Sequence, residues 1–218
     1  MRILALAVAA VVASGAFAAN AQKDEMVRIG GKGRLVFVNA AGVDEGPLAG
    51  AADMIGKMLM IETEVRKGTW TLADADRILG EIKATAAVFV VSDRTLPISL
   101  IAMESKWGVV NAANLTPDQT RKETLRVAAV VLGAAASKYQ SSVMRPAFSA
   151  DDLEKKAGNL LTIDQMMAIY PNLGAFGFSQ FQVLSYREAL EEGVEGLPPP
   201  ANEAQRRIKA EFDRKAKK

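Results

Sequence analysis

Glu62 and Glu64 lie two apart on a stretch that reads as a strand, which puts both carboxylates on one face about 7 Å apart. Carboxylates at such a separation can hydrolyse a glycosidic bond. Here the alternation with apolar neighbours makes them the solvated face of a strand. Asp74 and Asp76 have the spacing that opens a calcium loop. No glycine, third oxygen ligand or late glutamate follows, so they read as first-turn helix acids. Ser105-Lys106 and Ser137-Lys138 pair a hydroxyl with an amine, but adjacent helical residues point in different directions and are not arranged for proton transfer. Gly177-Phe-Ser179-Gln-Phe181 is half of a nucleophile elbow without its second glycine, so Ser179 is expected in a loop or at a cap. Gly30, Gly31 and Gly33 precede a strand instead of following one, which argues for a turn and against a dinucleotide-binding loop.

Two absences narrow the chemistry further. None of the 218 residues is cysteine or histidine. Disulfides, thiolate nucleophiles, Ser-His-Asp triads and Cys or His metal sites are therefore excluded, and no metal or other cofactor is expected. The 27 basic and 25 acidic residues nearly cancel, so nucleic acid and anionic membrane surfaces are not expected as partners. For an enzyme, the group left to converge is Asp93, Glu104 and Tyr139, at strand ends and just beyond the longest apolar helix, where active sites collect.

The elements that would position these groups follow from periodicity. Residues 1–21 have a positive start, an uncharged apolar run from Ile3 to Phe17, and the small-x-small sites Ala16-Phe-Ala18 and Ala19-Asn-Ala21. That is the layout of a secretory signal peptide, too short to span a bilayer comfortably, and it implies an exported, periplasmic or secreted protein whose mature chain has no membrane span. Strands are expected over residues 34–39, 60–65, 87–91, 98–103 and 107–111, with the fully apolar 87–91 central in a sheet. Helices are expected over 47–58 and 71–84, and a long one begins at the cap Thr116-Pro117-Asp118 and runs to about 136. Its second half, from Val127, is apolar on every face and should be buried all round. Later helices start at Ser149, at Thr162 (ending at Tyr170) and at Tyr186, and residues 202–218 form a polar terminal helix or tail with seven basic and three acidic residues. The fold class is α/β, a twisted mixed sheet of about five strands with a long buried helix. An α/β domain over 22–170 is expected, followed by a mainly helical extension over 171–218.

The stretch from Lys122 to Met144, KETLRVAAVVLGAAASKYQSSVM, on a helix following such a sheet, resembles the active-site region of metzincin zinc peptidases, in particular the archaemetzincin branch. That family carries H-E-x-x-H-x-x-G-x-x-H on a helix ending at the glycine, then a Met-turn. Gly133 takes the glycine place, and Ser142-Val-Met144 resembles the Met-turn. The resemblance puts Arg126, Val130 and Ala136 at the three ligand places and Val127 at that of the general base. A guanidinium offers only donors and an isopropyl group nothing, so neither replaces an imidazole, and the resemblance implies an inactivated member.

The function expected is that of an exported, non-catalytic, metallopeptidase-like pseudoenzyme that binds or scaffolds, holding an extended peptide or protein segment along the edge strand 98–103 by strand addition. Two alternatives stand beside it. One is a hydrolase using Asp93, Glu104 and Tyr139, and the other a structural envelope protein that touches its partner through the basic terminal helix.

Overall fold

The computed structural model describes residues 25–156 and 161–216. The expected leader, residues 1–21, lies outside the described residues. In chain order the elements are β1 (Met26–Lys32), β2 (Arg34–Asn39), α1 (Glu45–Leu59), β3 (Glu62–Lys67), a short 3-10 turn (Leu72–Asp74) and α2 (Ala75–Glu81). Then follow β4 (Ala86–Val91), β5 (Ser99–Ala102), β6 (Trp107–Asn111), α3 (Pro117–Val131) and α4 (Ala150–Glu154). The last are α5 (Ile163–Phe176), β7 (Ser179–Ser185), α6 (Tyr186–Glu191) and α7 (Glu203–Ala216). The chain forms two compact units, Gly31–Gln180 and a smaller one made of both terminal segments.

The larger unit holds a five-stranded sheet of order β3-β2-β4-β6-β5. Its first four strands are parallel, and β5 runs antiparallel to β6, so the sheet is mixed as expected. Period-two alternation divides its side chains between two cores. Leu35, Phe37, Val88, Val90 and Val110 face α1 and α3, while Val36, Val38, Phe89 and Val109 pack with Ala75 and Ile78 of α2 and with Trp107. Because β4 is covered on both faces, all six of its residues are buried, which is why it reads as an unbroken apolar run.

α3 starts with a full capping box: Thr116 Oγ1 accepts from Gln119 N, and the Gln119 side chain accepts from Thr116 N. It ends at Val131, short of the expected 136. Gly133, at φ +101°, turns the chain out of the helix, with Ala134 N donating to Ala129 O and Gly133 N to Val130 O. This pair of bonds closes a Schellman motif and satisfies carbonyls that a continuing helix would have used. Burial also starts earlier than expected, because Gln119, Thr120, Lys122, Glu123, Thr124 and Leu125 are already buried. α5 continues past Tyr170 and through Pro171 to Phe176, at the cost of the bond that Pro171 cannot donate.

In the smaller unit β1 pairs with β7, and a small core of Val27, Tyr186, Ala189 and Ile208 holds α6 to α7. Ser179, expected in a loop or at a cap, opens β7. Among the described residues no helix is long and apolar enough to cross a membrane.

Candidate functional site

α3 underlies the edge of the sheet and presents one charged side chain to it. Arg126 lies midway along α3 below β5, its side chain 7% exposed. Nε donates to both carboxylate oxygens of Glu123, at 3.0 and 3.1 Å, and Nη2 donates to Glu123 and, at 2.7 Å, to Ser99 Oγ of β5. The Glu123 side chain is fully buried and also accepts from Lys156 Nζ at 3.4 Å, itself fully buried and donating to Val143 O at 3.3 Å. Helical i,i+3 spacing aligns Glu123 with Arg126. Ser149, through its capping box with Asp152, starts the short α4 that delivers Lys156.

Burial opposes the ionised form of Glu123, but the hydrogen bonds and charge of Arg126, with the charge of Lys156, outweigh it and hold its carboxyl below the usual range. Lys156 is shifted the other way from ion-pair expectation. Burial lowers the pKa of its ammonium more than the Glu123 charge restores it. Two cations thus share one carboxylate in a dry place.

Above them runs a cleft of about 390 Å³. Its walls are Ile98, Ser99 and Ile101 on the β5 side and Pro146 and Phe148 on the other, with Arg126 at its floor. Phe148 is 89% exposed at the rim. Met144 is fully buried in the main core, in a turn where Ser142 Oγ accepts from Met144 N and Met144 O accepts from Ser137 N. The turn therefore stands directly against the triad, through the Val143 carbonyl.

The remaining residues singled out in the sequence are distributed differently. Val127 is fully buried in the main core, and a Cβ placed on Gly108 of β6 would lie 2.4 Å from its Cγ1, so it packs against the sheet. Val130 is partly buried against the same core, and Ala136 lies beyond the helix, lining a larger cleft of about 870 Å³ with Tyr139 and the first turns of α5. The three expected ligand places do not line one cleft.

Asp93 follows β4, where its carboxylate accepts from Thr95 N and Oγ1, and those bonds lower its pKa. It lines a third cleft with Trp70 and Leu72. Glu104 sits in the β5–β6 turn, at the opposite end of the parallel strands. Asp93, Glu104 and Tyr139 therefore do not line one cleft: topology sends Asp93 and Glu104 to opposite ends of the sheet, and Tyr139 lines the cleft beside Ala136 and the first turns of α5. Asp74 and Asp76 are helix-start acids, Asp76 accepting from Trp107 Nε1 at 2.8 Å, and Glu64 is tied to Arg34 at 2.6 Å on the β3 edge.

No family model and no curated protein matches the sequence. Solved structures do match. The chain is similar to a zinc-dependent peptidase from Methanocorpusculum labreanum, with a TM-score of 0.50 at 10% identity, covering 63% of this chain and 100% of that one. It is also similar to the archaemetzincin of Methanopyrus kandleri, with a TM-score of 0.53 at 11% identity, covering 65% of this chain and 95% of that one. The fold is archaemetzincin-like. A zinc ion, which that likeness suggests, does not fit the residues present. The sequence offers no imidazole or thiolate, and among the described residues no three acidic side chains gather to hold a metal. At Arg126, which the sequence resemblance puts at a ligand place, this chain has a buried guanidinium bonded to its own carboxylate. Glu123 and Lys156 escaped sequence reasoning. The one available signal was the i,i+3 pair Glu123–Arg126 just ahead of an all-apolar helix half.

Proposed function

We propose that this is an exported, non-catalytic, metallopeptidase-like domain that binds an extended peptide segment by adding it as a strand to β5. One observation carries the reading, the unpaired outer edge of β5. Asn111 N donates to Ile98 O at 2.8 Å, which fixes the alternation of the β5–β6 ladder. Leu100 and Ala102 then bond inward, and the N–H and C=O groups of Ser99 and Ile101 face outward, with no partner among the described residues. They face the cleft walled by Pro146 and Phe148, so a strand laid there gains both a ladder and a pocket. The chemistry of the positions that the resemblance singled out supports a binder over a hydrolase, because Arg126, Val127, Val130 and Ala136 offer neither metal ligand nor base.

The test uses a fluorescein-labelled pool of random heptapeptides, acetylated and amidated, titrated against the purified protein. Binding should be saturable, should slow hydrogen exchange at the Ser99 and Ile101 amides, and should leave the pool uncut. Ile101→Pro removes an outward N–H without touching the β6 ladder and should abolish binding. Binding indifferent to that substitution, or cleavage of the pool, refutes the proposal.

A further inference from the structure

The floor of the cleft beside β5 is electrostatically lopsided. Arg126 and Lys156 share the single carboxylate of Glu123, which leaves one net positive charge in a buried group. A charge taken out of water without a full partner is costly, and a counter-charge brought to it relieves that cost. Of the three side chains only Arg126 lines the cleft. Its Nε and Nη2 are committed to Glu123 and Ser99, whereas Nη1 has no partner among the described residues. Two neighbours therefore hold the guanidinium plane fixed while two N–H donors remain for a ligand. Asp152, whose charge also reaches Lys156, is occupied at Oδ2 by the amides of Phe148 and Ser149 at 3.0 and 3.1 Å.

The β5 register says which part of a peptide would meet these donors. Ser99 Oγ accepts from Arg126, so the Ser99 side chain points to the α3 side of the sheet. A residue directly opposite it on an added strand projects its side chain to the same side. We infer that the cleft selects an acidic side chain, aspartate or glutamate, at the peptide position that pairs with Ser99, and that Arg126 is its receptor. The inference rests on the strand addition proposed above and names its ligand class. Pro146 and Phe148 form the far wall, so a strand seated against them would shield the contact from water, which strengthens a charge-assisted bond.

A positional-scanning library of acetylated, amidated heptapeptides, one position fixed and the rest random, tests this by fluorescence anisotropy. Sub-libraries with fixed Glu or Asp should bind about tenfold or more tightly than those with Gln or Asn, at one position only. Arg126→Met leaves Glu123 and Lys156 as a balanced pair. In that variant binding should persist and the acidic preference should vanish. Arg126→Lys, which keeps a charge but not the planar fork, should retain a reduced preference, and together with the wild-type profile it decides the matter if the methionine variant does not fold. A profile in which all sub-libraries bind alike overturns the inference and leaves strand addition standing. A preference that appears only in an unamidated library assigns the donors to a chain terminus and also overturns it. No binding by any sub-library removes both readings.

Discussion

Replacing Glu123 by glutamine should be among the most damaging single substitutions in the larger unit. Among the described residues the carboxylate is the only anion bonded to Arg126 and Lys156, and the exposures of the three side chains are 0%, 7% and 0%. Neutralising it leaves two cations uncompensated where solvent cannot screen them. Breaking a buried pair in this way costs about 3–5 kcal/mol. For a chain of this size each kcal/mol moves the melting temperature by roughly 2–4 °C, so a drop of about 6–20 °C is expected in scanning calorimetry. Arg126→Met leaves a balanced pair and loses mainly hydrogen bonds to Glu123 and Ser99, so it should cost only about 1–3 kcal/mol. The combined Glu123→Leu, Arg126→Met, Lys156→Met variant removes the charges together and should recover to near wild-type stability. The pH profile follows from the depressed pKa of Glu123. Its contribution is complete above its ordinary value of 4.5 and is lost as pH falls through the lower folded value, so the wild type should lose an increment of stability at acid pH that Glu123→Gln lacks. If Glu123→Gln costs less than about 1 kcal/mol and keeps the wild-type acid profile, the triad is hydrated and the argument fails.

Two further outcomes probe the geometry around α3. The triple substitution Arg126→His, Val130→His, Ala136→His should melt below wild type, and zinc should not restore it, because Arg126 and Ala136 line different clefts and Val130 packs against the core. A zinc-dependent rise of roughly 5–11 °C, the about 2.7 kcal/mol that a hundredfold excess over the dissociation constant returns, would mean that the three positions converge after all. Gly133→Ala should cost about 1–3 kcal/mol in urea unfolding, because φ is +101° and an added Cβ would stand 2.2 Å from Asn172 Nδ2; a neutral effect would show that the α3 terminus can rearrange freely.

Much of the scaffold could be read from local pattern. The apolar run of β4 marked the centre of the sheet, Thr116, Ser149 and Thr162 marked helix starts through their own side-chain bonds, and Gly133 marked the end of α3 once compared with a motif. What escaped was set by distance along the chain. Glu123 and Lys156 are 33 residues apart, and Lys156 stands in a run of acids and lysines that has every mark of a solvated helix face. Nothing local says that the ammonium turns inward to the Val143 carbonyl. Likewise β1 and β7 each carry a weak alternation that only their mutual pairing makes a sheet. Pro171 was a fair local stop signal, overridden by the packing of Ile169 and Leu173 on either side of it. The acids and hydroxyls that looked capable of chemistry were dispersed by topology, whereas the buried group that formed is built from three charged residues that pair with one another.

The two ends of the sheet are unlike in a way that bears on how the protein keeps company with itself. β3, at one end, carries Glu62, Glu64, Arg66 and Lys67 among its six residues, with Glu64 braced by Arg34 and Arg66. Charges of this kind repel a neighbouring edge and blunt aggregation. β5, at the other end, reads Ser-Leu-Ile-Ala and has none. An uninvited strand, β5 of another copy included, meets no charge on β5 itself, and among the described residues its guards are the brevity of the strand and the wall formed by Pro146 and Phe148. An edge that plain is the place where a crowded solution of this protein would begin to stick.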